Sequence, residues 1–232
     1  MHLLEPVQRR FSALAAPGNR AVRNYLTLRK TIGILGLALP PVILAGERVL
    51  FLCGTQPTIS HYYYTGMRDV FVGTLWAIGV FLVCYKGPRG WDNVASNVAG
   101  ACAILVALFP TAPRQAADSC ALPSAVPQAL QGVIGTLHIC FAVGFFLSIT
   151  AMAFLLFENR GKRKWTNWIY RACGVAMLGC LLWMAIDGVG FWAEAIAVWA
   201  FGIAWLVNGL KPLKDPQDWP TVKGEAPASR FA

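Results

Sequence analysis

The residues of this sequence that could bind or transform a polar molecule are a few ionisable groups beside or inside long apolar segments. They comprise four acids, two arginines and two histidines: Glu47, Arg48, His61, Arg68, Asp69, His138, Asp187 and Glu194. Carboxylates and imidazoles exchange protons and hydrogen-bond to ligands. A charge at the centre of a membrane helix costs at least about 2.5–3.5 kcal/mol, so such groups usually face the protein interior and pair. We therefore expect these side chains to converge.

Hydroxyl groups accompany these ionisable residues. The segment between the first two apolar stretches contains Ser60, three consecutive tyrosines ending at Tyr64, and Thr65. Zinc is usually held by three or four His, Cys or carboxylate ligands. Only His61 and His138 are available here, without a short ligand-spacing motif, so we assign no metal ligand and predict no cofactor. A zinc site completed by an acid remains an alternative.

Six apolar stretches must position these residues. The 232 residues are 56% hydrophobic and 13% charged, whereas soluble proteins average about 45–50% and about 25%. The stretches lie at about 32–53, 70–86, 93–111, 131–157, 169–187 and 190–208, and a membrane-crossing helix needs about 20 such residues. The sequence predicts an all-α polytopic integral membrane protein, a bundle of six transmembrane helices. Residues 1–31 form a basic cytoplasmic leader, 32–208 the transmembrane domain and 209–232 a cytoplasmic tail.

Charge predicts the orientation of this bundle. Seventeen of the twenty Lys and Arg residues fall in segments that six crossings place on one side. Because Lys and Arg are retained in the cytoplasm, both termini are predicted to be cytoplasmic, in a bacterial plasma (inner) membrane. The net charge of +9 then serves topology and attracts anionic lipid headgroups rather than nucleic acid. Cleavage of residues 32–46 as a signal peptide is the alternative for the first stretch.

Depth relates two of the ionisable residues. Glu47 precedes the predicted outer end of the first span by six residues, or about 9 Å, and His138 follows the start of the fourth by seven, or about 10 Å. The two groups should therefore lie at one level, in a polar cavity open to the outside. Arg48 or Arg68 is expected to neutralise some of the carboxylates. The predicted binding residues are Glu47, Arg48, Ser60, His61, Tyr64, Arg68, Asp69, His138, Asp187 and Glu194.

Two of the seven cysteines are predicted to meet an oxidising compartment. Cys53 lies at the outer end of the first span and Cys120 in the long outer loop. A disulfide between them is the prediction, with two free thiols as the alternative. The other cysteines lie within spans and should behave as small apolar groups.

Small residues predict one helix contact. Ala95, Ala99, Ala103 and Ala107 repeat every four residues in the third stretch. Small side chains at this spacing allow helix backbones to approach closely in a membrane. We expect this face to pack against neighbouring helices.

Several short motifs resemble one prokaryotic membrane family. They run from Ile59 to Gly73, from Tyr85 to Gly87 and from Ala107 to Thr111, with His138 in addition. Together they resemble the domain-of-unknown-function 998 group, whose broader relatives are similar to six-helix Frag/DRAM-type proteins. The resemblance is strongest over residues 54–111 and implies a six-span topology, without an activity. Ceramidase-like membrane hydrolases are a more distant comparison, from which the chain departs by its six spans and by lacking paired histidines on a late span.

These observations favour a non-enzymatic protein that binds or senses a small polar molecule or lipid headgroup, with membrane lipids as its partners. One alternative is a membrane-embedded lipid hydrolase, either metal-dependent or metal-free, with His61 and His138 as ligands or bases and Ser60 as a participant. A proton-coupled carrier and a structural subunit are the others.

Overall fold

A computed structural model describes residues 20–87, 89–113, 122–156, 164–188 and 190–210 of the chain. These ranges form six long helices: α1 Arg20–Leu50, α2 Arg68–Cys84, α3 Gly90–Leu108, α4 Gln128–Ala151, α5 Lys164–Asp187 and α6 Phe191–Leu210. A short 3-10 helix, Ser60–Tyr64, lies between α1 and α2, and a π-helical turn, Met152–Leu156, extends α4. The described ranges contain no strand, which confirms the all-α prediction.

Five of the six helices are long and apolar enough to cross a membrane: α1, α3, α4, α5 and α6. The exception, α2, has 17 residues, a length of about 25 Å against a hydrocarbon thickness of about 30 Å. The five helices indicate a multi-pass membrane protein. The sixth crossing and the cytoplasmic location of both termini remain predictions.

The helices pack in a ring that follows their order in the chain. Each contacts the next, and α6 returns to contact α1. We call the end where α1 begins and α6 ends the basic end, and the other end, where residues 51–67 join α1 to α2, the loop end. Basic residues at the basic end include Arg23, Arg29, Lys30, Lys86, Arg89 and Arg171.

Glycines allow the first and last helices to touch along their backbones. A Cβ atom added to Gly202 of α6 would lie 2.8 Å from the Leu37 amide nitrogen and 2.9 Å from the Gly33 carbonyl oxygen of α1. Both distances are too short for a real side chain. The α1–α6 contact therefore depends on glycine, as expected for close packing of membrane helices.

The alanine face of α3 packs as predicted. Ala99, Ala103 and Ala107 are buried, and Ala95 is half-buried. Gly100 lies on the same helix, where an added Cβ atom would lie 2.6 Å from the Gly79 carbonyl oxygen of α2. The prediction of a close contact face on this helix is confirmed.

The start of α1 differs from the predicted start of the first span. The helix begins at Arg20, ahead of residue 32, because helical hydrogen bonding continues through polar residues that an apolar stretch does not include. It ends at Leu50, where the amide groups of Phe51 and Cys53 both donate to the Glu47 carbonyl oxygen. Residues 1–19 and 211–232, which include most of the predicted leader and tail, lie outside the described residues.

Candidate functional site

The connection from α1 to α2 folds into a compact element at the loop end. The His61 amide donates to both the carbonyl oxygen and the Oγ1 atom of Thr58, at 3.3 and 3.2 Å. The His61 ring returns to the same hydroxyl, with Nδ1 2.7 Å from Thr58 Oγ1. These contacts use a polar Thr-x-x-His spacing to fix the turn that begins the 3-10 helix. They place Ser60 at its first position.

Ser60 faces the first turn of α6. Its amide nitrogen lies 3.1 Å from Oε2 of Glu194, and its Oγ atom lies 3.5 Å from the same oxygen. Glu194 is half-buried. A carboxylate near a helix N-terminus is stabilised by the helix dipole, and here it also accepts a backbone N–H from another segment.

His138 of α4 completes this contact. The side chain is 3% exposed, with Nδ1 2.6 Å from the Phe109 carbonyl oxygen and Nε2 3.0 Å from Ser60 Oγ. Because a carbonyl oxygen only accepts, Nδ1 must carry the proton in that bond. In the neutral imidazole, Nε2 then accepts the Ser60 hydroxyl proton. The backbone of Phe109 thus orients the ring toward Ser60.

Ser60, His138 and Glu194 form what we call the loop-end cluster. Three separate segments contribute one residue each, and each side chain has a hydrogen-bond partner in another segment. The cluster combines a hydroxyl, a proton acceptor for it and a carboxyl group within a few ångströms. Such a set can bind a ligand that carries hydroxyl or amine groups, and it can also move a proton.

Glu47 is the most deeply buried acid at this end. Its side chain is 0% exposed, and within the described residues neither carboxyl oxygen has a hydrogen-bond partner. Burial raises the pKa of the nearby Tyr62 hydroxyl, and the Glu47 carboxylate raises it further. An uncompensated buried carboxyl group is costly, so a cation, a proton or a hydrogen-bond donor from a ligand would be stabilised beside it.

Tyr64 joins the 3-10 helix to the segment that connects α3 and α4. Its hydroxyl donates to the Thr111 carbonyl oxygen at 2.6 Å, and its own carbonyl oxygen accepts the Leu122 amide at 2.7 Å. Burial raises the pKa of this hydroxyl, which keeps it a donor. The Tyr64 hydroxyl is therefore occupied by a backbone carbonyl oxygen.

Arg48, Arg68 and Asp69 are exposed at the loop end. The Arg48 guanidinium donates to Thr55 Oγ1 at 2.9 Å. That of Arg68 donates to the Tyr63 hydroxyl at 2.9 Å and lies 4.4 Å from the ring centre. Both hydrogen bonds go to hydroxyl groups instead of the carboxylates that we predicted the arginines would neutralise. Long cationic side chains reach water easily, which explains the difference.

Asp187 lies apart from the loop-end cluster, in a surface cavity of about 270 Å³ at the turn between α5 and α6. Trp183, Phe191 and Trp192 also line this cavity. Phe191 in turn contacts Tyr62, with ring centres 6.1 Å apart. The predicted residues are thus distributed over a cluster, a buried acid, a surface cavity and exposed positions.

A zinc site and a disulfide are the remaining possibilities that the sequence raises. Across the described ranges, no three His, Cys, Asp or Glu side chains are grouped closely enough to hold a metal ion. Cys53 is buried, and the free cysteines of the described residues are Cys84, Cys102, Cys140, Cys173 and Cys180. Cys120 lies outside the described residues, so its disulfide with Cys53 stays a prediction.

The sequence analysis missed a polar group at the basic end. Arg29 is buried there and donates to Asn208 of α6, with its Cζ atom 5.4 Å from the Tyr25 ring centre. The one signal was the spacing of Tyr25 and Arg29, four residues apart on the same helix face. We counted Arg29 only as a cation that determines topology.

The site and the bundle together define an all-α, multi-pass membrane protein with a polar cluster at one end. No family model matches the chain, and no curated protein or solved structure matches it. Membership of the domain-of-unknown-function 998 group therefore stays a prediction.

Proposed function

We propose that this chain is a binding or sensing protein whose loop end accepts a small polar molecule or a lipid headgroup. The observation that supports this most directly is the contact between Ser60 and His138, with Glu194 on the other side of Ser60. These hydrogen-bonding groups come from three segments, so one ligand could contact all of them. Binding there would change the positions of α4, α6 and the α1–α2 connection together.

Charge favours a ligand that carries an amine or ammonium group. Glu47 and Glu194 are both at the loop end, whereas the hydrogen bonds of Arg48 and Arg68 go to hydroxyl groups. A cationic group compensates a buried carboxylate, and its hydroxyl or phosphate neighbours can accept from or donate to Ser60. An aminoalcohol, free or as a lipid headgroup, has this chemistry.

Topology supports access from outside the cell. Lys and Arg concentrate at the basic end, which the positive-inside rule assigns to the cytoplasm. The loop end then faces the exterior of a bacterial inner membrane, with six crossings and both termini inside. Cysteine accessibility tests this proposal: a cysteine introduced at Thr55 would react with an impermeant maleimide in intact cells, and one at Arg23 would not.

Thermal unfolding of the purified full chain in detergent tests ligand binding. Phosphatidylethanolamine, free ethanolamine and diacylglycerol are the probes. We expect ethanolamine-bearing probes to raise the melting temperature of the wild type and to lose this effect in Glu47→Gln and His138→Ala. Asp69→Asn is the matched control, because it removes an exposed carboxylate from the same end. An equal response of all four proteins would overturn the proposal.

A lipid hydrolase is the second candidate, favoured by the same Ser60–His138 contact. The Ser60 Oγ atom would attack an ester carbonyl while His138 Nε2 takes its proton and returns it to the leaving alkoxide, and water would then hydrolyse the acyl-enzyme. The Glu194 carboxyl group, 3.5 Å from Oγ, argues against this role when it is ionised, because its charge would repel the anionic intermediate. Labelling by a fluorophosphonate in the wild type, lost in Ser60→Ala and kept in Ser124→Ala, would favour hydrolysis. Bound zinc detected by elemental analysis would favour its metal-dependent form.

A proton-coupled carrier is the remaining candidate, favoured by the unpartnered Glu47 carboxyl group. Proteoliposomes that enclose a pH-sensitive dye would report proton movement when substrate is added. We expect that movement to be absent from Glu47→Gln if the carboxyl group carries the proton.

A further inference from the structure

A second polar cluster lies inside the basic end and does not depend on the function proposed for the loop end. Its centre is Arg29 of α1, which is 4% exposed. One terminal nitrogen of the guanidinium donates to both the backbone carbonyl oxygen and the Oδ1 atom of Asn208. The cluster therefore connects the first and last helices of the ring.

The charge of Arg29 has no counter-ion in these contacts. A guanidinium stays protonated in proteins, and both acceptors on Asn208 are neutral. Within the described residues, the Nε–H group of Arg29 has no hydrogen-bond partner, whereas the Asn208 side chain also contacts the Tyr85 hydroxyl. The cluster thus contains a buried positive charge with one unused donor, which is the chemistry of an anion site.

An aromatic ring lies against this charge, and two further rings pack beside it. The Tyr25 ring centre lies 5.4 Å from Arg29 Cζ and 5.8 Å from the ring of Tyr85, which itself lies 4.9 Å from the ring of Trp205. Cation–π contact stabilises a guanidinium. The rings are neutral, however, so they do not replace an anion.

Asp92 is the acid that α3 contributes to this end, and one of its two carboxyl oxygens is bonded within the start of α3. Its Oδ2 atom accepts the Arg89 amide at 2.8 Å, in the capping box that begins α3. Its Oδ1 atom has no hydrogen-bond partner in the described part of the chain. Asp92 therefore makes no hydrogen bond to Arg29.

We propose that Arg29, held in place by Asn208, binds a phosphate group at the basic end of the bundle. Phosphate oxygens match the forked donors of a guanidinium, and the Arg29 Nε–H group would donate a hydrogen bond to one of them. Lys30, Lys86 and Arg89 lie at the same end and attract anions from the membrane surface. The phosphate is either that of a phospholipid headgroup or free in solution.

Native mass spectrometry and thermal unfolding of the delipidated full chain in an uncharged detergent test this site. The probes are phosphatidylglycerol, inorganic phosphate and diacylglycerol, which lacks phosphate. We expect phosphatidylglycerol to form a one-to-one adduct and raise the melting temperature, and diacylglycerol to do neither. A rise with inorganic phosphate alone would identify a free anion as the ligand, whereas a rise with the lipid alone would identify a headgroup. If neither phosphate-bearing probe binds, the proposal is wrong.

Matched variants separate the buried charge from general surface attraction. Arg29→Gln should weaken phosphatidylglycerol binding by about tenfold or more, since a hydrogen bond to a charged group is lost. Lys30→Gln, which removes the adjacent cation from the same helix, should leave binding within about twofold. Equal weakening in both variants would overturn the proposal.

Asn208→Asp tests the proposal by supplying a counter-ion to Arg29, and it remains informative if Arg29→Gln fails to fold. An aspartate at this position would place a carboxylate against the guanidinium. We expect this variant to melt at a higher temperature than the wild type without lipid and to lose the response to phosphatidylglycerol. An unchanged response would contradict the assignment.

Discussion

Ser60 Oγ lies 3.0 Å from His138 Nε2, although the two residues are 78 positions apart in the chain. The contact joins the α1–α2 connection to the first half of α4. It exists because the Phe109 carbonyl oxygen fixes the imidazole from its other side. The position of the Ser60 hydroxyl is thus determined by three segments that the ring of helices brings together.

Replacing His138 by Ala should destabilise the protein. The change removes both hydrogen bonds of the ring and leaves the Phe109 carbonyl oxygen without a partner, at a cost of about 1–3 kcal/mol. Thermal unfolding in detergent measures the effect as a lower melting temperature. Cys140→Ala, at an exposed position on the same helix, should change the melting temperature little. Equal changes in melting temperature for the two variants would mean that the hydrogen bonds of the His138 ring do not stabilise the protein.

Replacing Glu47 by Gln should stabilise the ligand-free protein. The amide has nearly the shape of the carboxyl group but no charge to bury, so a cost of order 1 kcal/mol or more is removed. The melting temperature should rise, whereas Asp69→Asn should shift stability by less than about 0.5 kcal/mol because that side chain is exposed. A lower melting temperature for Glu47→Gln would show that the carboxyl group already has a compensating partner.

Replacing Gly202 by Ala should weaken the α1–α6 contact. The added methyl group would meet backbone atoms of Leu37 and Gly33, and overpacking of this kind costs about 1–3 kcal/mol. Gly132→Ala is the matched control on α4, because an added Cβ atom there meets nothing within 4 Å. That change should be neutral or stabilise by about 0.5–1 kcal/mol. The melting temperature of Gly202→Ala should therefore be clearly lower than that of Gly132→Ala.

Ionisation of the Tyr64 hydroxyl should lower the free energy of unfolding at alkaline pH. Burial raises the pKa of its hydroxyl in the folded protein, whereas in the unfolded chain the pKa is about 10. Stability is therefore fully present below about pH 10 and is lost as the pH rises through the unfolded value toward the folded one. In Tyr64→Phe the melting temperature should be lower at neutral pH, because the bond to Thr111 is absent, and should fall less steeply above pH 10. Parallel pH profiles would contradict this prediction.

The predicted disulfide has a direct chemical test. Digestion without reductant, followed by mass spectrometry, should yield a cross-linked peptide that contains Cys53 and Cys120. Treatment with a thiol reagent before reduction should modify the exposed Cys84 and Cys140 but not Cys53. Modification of Cys53 under these conditions would rule the disulfide out.

The helices of this fold could be read from the sequence, but the partners of its charges could not. Apolar length determines where a membrane helix forms, so the predicted stretches coincide closely with α2 to α6. The start of α1 was predicted too late because Arg29 and Lys30 interrupt the apolar stretch, although Arg29 is buried and donates to Asn208 of α6. Likewise, the position of His138 near the loop end was predictable from the sequence, whereas its bonds to Phe109 and Ser60 depend on how distant segments pack.

For Arg48 and Arg68 the sequence identified the correct end of the bundle but not the partners. Both side chains are long enough to reach either the buried carboxylates or the nearby hydroxyl groups. Bonding to a hydroxyl group avoids desolvating the guanidinium, and it leaves the Glu47 carboxyl group without a hydrogen-bond partner among the described residues. Such competition is decided by free-energy differences of the order of 1 kcal/mol, which residue spacing does not encode.

Closure of the ring by the first and last helices has a consequence for biosynthesis. The glycine-lined side of α1 leaves the ribosome first, yet the helix that covers it is made last. Until α6 is made, this surface must be shielded by lipid or by an insertion factor. A nonsense mutation ahead of α6, which removes this helix and the residues that follow it, should therefore leave a chain that inserts normally but is degraded by membrane quality control.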